Sequence, residues 1–279
     1  MEEKTILAVA GAPEIDELLK EDDRPLACGL ELVQDHAELL RRVTKRAYDV
    51  ILTDFRTPAE EDVALLREIQ RVRPGAIVFV MAAQGTAQTV IDAMRAHAYS
   101  YFTHPFDLNA VREMLAEALG LAQWDDGIEI LSAHPRWITL RLRCRRLTGE
   151  RLIQFCTELK VDLPPKDRED MGLAFREMLT NAIEHGGKLH PRRWVEVAYV
   201  RTVRVIGYRI SDPGPGFLFD DLPHAAVSNP PEDMSRHVSE REALGMRPGG
   251  FGLLLASRLV DELIHNEHGN EVLLIKYLD

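Results

Sequence analysis

Three groups of residues in this 279-residue chain have the types and spacing for phosphate or nucleotide chemistry. Glu177, Asn181 and Glu184 stand at i, i+4 and i+7 of one helical segment, so a helix brings them to one face, opposite Leu179, Ala182 and Ile183. A solvated polar stripe would read the same way. Asp212-Pro213-Gly214-Pro215-Gly216-Phe217 directly follows an apolar run. An Asp there can accept a hydrogen bond from an exocyclic amine in a dry pocket, and the two glycines let a ligand approach the backbone. A plain Asp-Pro-Gly turn is the competing reading. Gly249-Gly250-Phe251-Gly252-Leu253 opens a helical segment. Glycine-rich backbone at a helix N-terminus offers free N–H groups and the positive end of the dipole to a phosphate. It is neither a P-loop, since no Lys-Ser/Thr follows, nor a Rossmann fingerprint, since no strand precedes it.

These residues need elements to hold them, and the two halves of the chain supply different kinds. In the first half, the apolar runs at 6–9, 50–53, 76–81 and 100–103 alternate with segments of helical period at 15–19, 35–45, 62–72, 86–98 and 109–119. Continuous apolar strands between amphipathic helices indicate βαβ units and a doubly wound, five-stranded parallel sheet. In such a sheet ligands sit at the carboxyl ends of the strands, where Asp54 and His104-Pro105-Phe106 fall. The periodicity breaks at Gly120 and Asp125-Asp126-Gly127, which predicts domains over 1–121 and 128–279 with a linker at 122–127. Beyond it, Trp137 to Cys144 alternates strictly, with Ile138, Leu140, Leu142 and Cys144 on one side. That is the mark of a half-buried antiparallel strand. Helices are expected over 150–159, 166–185 and 253–263, a hairpin over 194–201 and 203–210, and a closing strand over 272–278. Together these predict an α+β domain: a mixed, mainly antiparallel sheet with helices on one face.

Composition narrows the classes. Hydrophobic residues make up 46%, enough for globular cores, and 34 Lys+Arg against 45 Asp+Glu leave a net charge of -11. Such a balance disfavours nucleic acid and anionic membrane surfaces as partners. Cys28, Cys144 and Cys156 are few and scattered, which speaks against a disulfide framework or a zinc site and for a reducing compartment. The run Thr5 to Ala12 is too short for a signal segment, and no apolar run reaches the roughly 18 residues of a membrane span. A cytoplasmic protein is the expectation.

The first 120 or so residues resemble a two-component receiver domain, through Tyr48-Asp49-Val50-Ile51-Leu52-Thr53-Asp54, Pro58, the strand ending at Met81, and Tyr101-Phe102-Thr103-His104-Pro105-Phe106. The resemblance makes Asp54 the phosphoacceptor position. Phosphoryl transfer to a carboxylate needs a divalent cation held by oxygen ligands. The family's acidic pair reads Ala10-Gly11 here, its hydroxyl residue Ala82 and its Lys His104. A degenerate receiver used for docking or dimerisation is therefore expected, with a phosphorylated Asp54 as the other reading. His104 is a weak substitute for the lysine charge.

Residues from about 126 to 279 resemble the Bergerat-fold ATPases, the superfamily that includes gyrase and the histidine kinases. Within it, Phe175 to His185 and Gly249 to Leu263 look like the anti-sigma-factor serine/threonine kinases of bacterial partner-switching systems. The resemblance implies ATP with Mg²⁺ and assigns roles by position. Asn181 would ligand the Mg²⁺ and Asp212 would bind the adenine amino group. Gly214 and Gly216 would pack on the base, and Gly250 and Gly252 would hold the phosphates. Glu177 would orient or deprotonate the attacking hydroxyl. His185 would contact phosphate or, on the favoured reading, cap the helix. The segment 218–247 would be the nucleotide lid, here long and acidic in its first half. Implied partners are a STAS-type anti-anti-sigma protein, a sigma factor and a second copy of the chain. The competing functions are a nucleotide-controlled regulatory binder without kinase activity, and a response regulator phosphorylated on Asp54 with an ATPase output domain. A histidine autokinase fits poorly, because it needs a phosphoacceptor His on a dimerisation helix before the ATPase segment, whereas His36 falls within the receiver-like segment and His134 sits beside Pro135 before a strand.

Overall fold

The computed structural model describes residues 4–9, 26, 28–122, 124–159, 163–216 and 251–278. The chain divides into two compact units. One comprises Met1–Asp126 with Gln154–Val161, the other Gly127–Ile153 with Asp162–Asp279. The helix expected over 15–19 lies outside the described residues.

The first unit is a five-stranded parallel sheet of order β2-β1-β3-β4-β5. Its strands are β1 (Lys4–Val9), β2 (Cys28–Val33), β3 (Val50–Leu52), β4 (Val78–Ala82) and β5 (Ser100–Thr103). Between and after them run α1 (His36–Lys45), α2 (Ala59–Val72), α3 (Ala87–Arg95) and α4 (Leu108–Leu119). The central strands are buried on both faces: Ile6 to Val9, Val50 to Leu52 and Val78 to Ala82 are at most 2% exposed. Local chemistry starts the helices. Asp35 accepts from the Glu38 amide to cap α1, a Thr86–Thr89 capping box opens α3, and Asp107 accepts from the Asn109 and Ala110 amides at α4. Strand order reverses between β1 and β3, and Asp54 follows β3 at that crevice. Strand β2 was not anticipated. It is an edge strand carrying Gly29 and Glu31, so it lacks the continuous apolar run of its buried neighbours.

The second unit carries a six-stranded sheet of order β10-β11-β9-β8-β7-β6, antiparallel at every described pairing. Its strands are β6 (Ile128–His134), β7 (Trp137–Arg143), β8 (Trp194–Arg201), β9 (Val205–Ser211), β10 (Glu262–His265) and β11 (Glu271–Tyr277), and its helices are α6 (Pro165–Asn181), α7 (Gly252–Leu259) and the first part of α5 (Arg146–Glu158), whose residues from Gln154 on belong to the first unit. Phe175, Met178 and Leu179 of α6 are nearly fully buried, as are Leu140, Val197, Tyr208 and Leu274 of the sheet. Phe175 and Tyr208 have ring centroids 4.4 Å apart. Three expectations change. Helix α6 ends at Asn181 and passes into a π-turn over Ala182–Gly186 rather than continuing to His185. The segment expected as one helix over 253–263 breaks at Val260, and Glu262–His265 pairs with β11 as a strand. Strand β6, whose register shifts between Ile130 and Ser132, was not anticipated. Among the described residues no helix is long and apolar enough to cross a membrane.

Candidate functional site

In the second unit, the polar stripe of α6 faces the start of α7. Met171, Ala174, Phe175, Met178 and Leu179 are buried on the sheet side, which leaves Glu177 and Asn181 half-buried on the other. Gly252, the first residue of α7, sits directly against them. A Cβ placed there would strike Glu177 Oε2, with Glu177 Cδ at 3.5 Å and Asn181 Nδ2 at 3.8 Å. Three residues expected to act together are therefore adjacent in space. Among the described residues Glu177 has no ion-pair partner. Glu184, the third member of the stripe, is instead paired with Arg146 at 2.8 Å. His185 is exposed and, among the described residues, makes no hydrogen bond to a helix carbonyl; the Gly187 amide closes the turn on the Ala182 carbonyl at 2.7 Å. The capping role expected of His185 is thus taken by backbone. Gly250 and the lid over 218–247 lie outside the described residues.

A second cluster forms where β9 ends. The Asp212 amide donates to the Asn270 carbonyl at 2.9 Å, and the Gly214 amide donates to Asp212 Oδ1 at 2.7 Å. Burial pushes the Asp212 carboxyl above the ordinary carboxylate range, with the Gly214 bond acting against it. The side chain lies on Gly186: a Cβ on Gly186 would land on the Asp212 carboxylate, and one on Gly214 would come within 2.9 Å of Gly186 Cα. Gly216 adopts φ +77°, and a Cβ there would be driven onto the His268 carbonyl oxygen. Asp212 and Gly214 therefore pack tightly on Gly186, and Gly216 packs on the His268 backbone. Gly186 is not among the site residues expected from the sequence. A doubled glycine at the end of a motif-bearing helix was the available signal for a close approach. Gly187 backs onto Cys144, whose thiol burial pushes up to about 11, in keeping with the core role expected of that cysteine.

The arrangement offers a half-buried acceptor carboxylate among closely packed glycines, and a carboxylate and amide beside the N-terminus of α7. Such a set can hold a purine amino group at one end and a metal-bound polyphosphate at the other.

In the first unit Asp54 is buried at the carboxyl edge of the sheet, and its charge is already answered. Arg56 Nε lies 2.9 Å from Oδ1 and Nη2 lies 3.0 Å from Oδ2, and the Arg56 amide also donates to Oδ1 at 3.0 Å. This fork engages both oxygens. Beneath it, Asp62 Oδ1 accepts from the Asp54 amide at 3.3 Å and lies 3.2 Å from His36 Nε2. The hydrogen bond to Asp62 raises the His36 imidazole above its ordinary value, while burial raises Asp62. His104 stacks on Phe55 with centroids 5.7 Å apart and meets Phe106 edge-on. The cation at Asp54 is Arg56, not His104. Arg56, Asp62 and His36 were not anticipated, since a turn and two helix starts bring them together. Ala10 and Gly11 lie outside the described residues.

Residues 145–276 match the family model of the histidine kinase-like ATPase domain, and residues 11–116 match that of the response regulator receiver domain. The response regulator protein PilR of Pseudomonas aeruginosa is 31% identical over 121 residues, which are 43% of this chain and 27% of that protein. The DNA-binding transcriptional regulator NtrC of Bradyrhizobium is 36% identical over 90 residues, 32% of this chain and 19% of that one. The chain thus spans less than a third of the length of these curated relatives. A solved CheY-like receiver domain protein from Methanospirillum hungatei covers 43% of this chain and 95% of its own at 20% identity and a TM-score of 0.37.

Proposed function

We propose that this chain, which carries a match to the response regulator receiver domain and a match to the histidine kinase-like ATPase domain, is a signal-transduction protein whose second unit is an ATP-dependent serine/threonine kinase of a partner-switching system. Its substrate on this reading is a STAS-type antagonist protein, with a sigma factor as a second partner. The receiver regulates the kinase without being phosphorylated.

One observation carries the reading. Glu177 holds a half-buried carboxylate, without an ion-pair partner among the described residues, against the N-terminus of α7. A carboxylate beside a polyphosphate repels it, so a protein that only binds nucleotide gains nothing from keeping one there. A kinase gains a group that can orient a hydroxyl and take its proton.

The residues fit the groups the reading requires. Asp212 Oδ1 is committed to Gly214, which leaves Oδ2 as the acceptor for an exocyclic amine. Gly186 and Gly214 let the end of the α6 segment and the turn after β9 approach closely around Asp212, and Gly214 and Gly216 are the residues this reading places against the base. The Asn181 amide oxygen is a suitable hard ligand for Mg²⁺. Bound Mg-ATP would supply a transferable phosphoryl group with part of its charge neutralised. In the transfer, a Ser or Thr hydroxyl oxygen bonds to the γ-phosphorus as the β–γ bridging bond breaks. Glu177 receives the hydroxyl proton, and ADP carries away the electron pair of the broken bond.

The test is to mix the chain with Mg-ATP and candidate STAS-type proteins and to assay for phosphoserine or phosphothreonine. Stable ATP binding with no transfer to any candidate would favour the regulatory binder instead. Label appearing on a histidine of the chain itself would contradict the proposal.

A further inference from the structure

The net charge of -11 hides a division. Residues 1–126 hold 13 Lys+Arg against 23 Asp+Glu, whereas residues 127–279 hold 21 against 22. Within the near-neutral part, cations are concentrated in two stretches that lack any acid. Between Glu129 and Glu150 lie Arg136, Arg141, Arg143, Arg145 and Arg146. Between Glu184 and Glu196 lie Lys188, Arg192 and Arg193.

The β7–β8 register brings the two stretches together at one end of the sheet. Arg143 stands opposite Trp194 and Arg141 opposite Glu196. The Cys144 amide donates to the Arg193 carbonyl at 3.1 Å, and Arg143 Nη1 donates to the Arg192 carbonyl at 3.0 Å. The guanidinium carbons of Arg143 and Arg141 lie 3.8 and 4.5 Å from the centre of the Trp194 ring. Arg141 is answered by Glu129 and Arg146 by Glu184. Lys188, Arg192 and Arg193 are exposed, and no carboxylate among the described residues pairs with them.

The loop that presents them is held in an uncommon shape. Lys188 and Leu189 both have positive φ, 55° and 52°. A branched, bulky residue such as leucine enters this region at a cost, and it persists only where the surroundings enforce it. Here the Leu189 amide is bound to the Ile183 carbonyl, the His190 amide to Gly187, and the Arg193 amide to His190. The result is a fixed loop that leaves Leu189 40% exposed among three cations.

We infer that this rim, centred on Lys188, Leu189, Arg192 and Arg193, docks a short acidic segment of a protein partner, with Leu189 as its apolar contact. Charge complementarity supplies steering and Leu189 a desolvated anchor. A bounded acidic segment suits the rim better than a nucleic acid. A nucleic acid gains affinity with the number of phosphates neutralised along its length, and three cations in one loop neutralise few of them. The inference does not require the kinase chemistry of Glu177.

Fluorescence anisotropy of a labelled Glu/Asp-rich peptide with interspersed leucines, titrated with the full chain at physiological salt, tests it. Arg192→Glu with Arg193→Glu should weaken binding by about tenfold or more. Leu189→Ser should weaken it by a smaller factor, and ATP-analogue binding should be retained throughout. Arg204→Glu, in the β8–β9 turn, changes net charge away from the rim and should have little effect. Absence of peptide binding, an equal loss with Arg204→Glu, or stronger Arg192- and Arg193-dependent binding of a single-stranded oligonucleotide would each overturn the inference.

Discussion

Replacing Gly252 with alanine should separate the stability of the second unit from its chemistry. Gly252 begins α7 with helical backbone, so alanine meets no φ penalty there. By restricting the unfolded chain, a compatible Gly→Ala change is worth about 0.4–1 kcal/mol. In a unit of this size that raises the melting temperature by roughly 1–4 °C. The new methyl group, however, strikes Glu177 Oε2, the far end of a flexible side chain, while Glu177 Cδ and Asn181 Nδ2 stay at 3.5 and 3.8 Å. The carboxylate therefore rotates away and the fold survives. Displacing a reacting group by about 1 Å costs on the order of 10²-fold in rate. Thermal melting beside a single-turnover phosphoryl-transfer assay reads both effects. The expected pattern is an unchanged or raised melting temperature with transfer down about a hundredfold. A transfer rate equal to the parent's would refute the claim that Gly252 positions Glu177. A fall of several degrees would show that the methyl group meets something less yielding than a rotatable carboxylate.

Three further outcomes are expected. Gly216→Ala places a β-carbon at φ +77° against the His268 carbonyl, so urea unfolding of the second unit should show a loss of about 1–3 kcal/mol, and no loss would contradict the described turn. His36 has its pKa raised by Asp62, so its protonated form stabilises the first unit. That contribution is fully present below its ordinary value and is lost as pH rises through the folded value. The melting advantage of the parent over His36→Gln should then shrink from about pH 6 to about pH 8, and an NMR titration midpoint at or below the ordinary value would refute the assignment. Acetyl phosphate with Mg²⁺ should leave Asp54 unlabelled, because the Arg56 fork engages both of its oxygens; stoichiometric labelling would overturn the picture of a receiver that works without phosphorylation.

What the sequence made legible follows from how local each determinant is. The buried strands β3 and β4 and the helices around them announce themselves by continuous apolar runs and 3.6-residue spacing. Strand β10 does not, because Leu259 to Leu263 continues a helical pattern and only pairing with β11 makes it a strand. Strand β2 escaped notice because an edge strand need not be apolar throughout. In the candidate site, Glu177, Asn181, Asp212 and the glycines were visible as motifs, since their spacing is set by one helix and one turn. The reason Gly252 must be small was not visible: it is a Glu177 side chain arriving from 75 positions earlier in the chain. The fork on Asp54 was equally hidden, since it depends on the turn after β3 bending Arg56 back over the residue two before it.

The central claim is that Glu177 serves the transfer step and not nucleotide binding. Glu177→Ala should keep ATP affinity at or slightly above the parent's, because a repelling carboxylate is gone, while phosphoryl transfer to the cognate antagonist falls by about 10²–10⁴-fold. Parallel loss of binding and transfer, or transfer persisting at the parent rate, would contradict it.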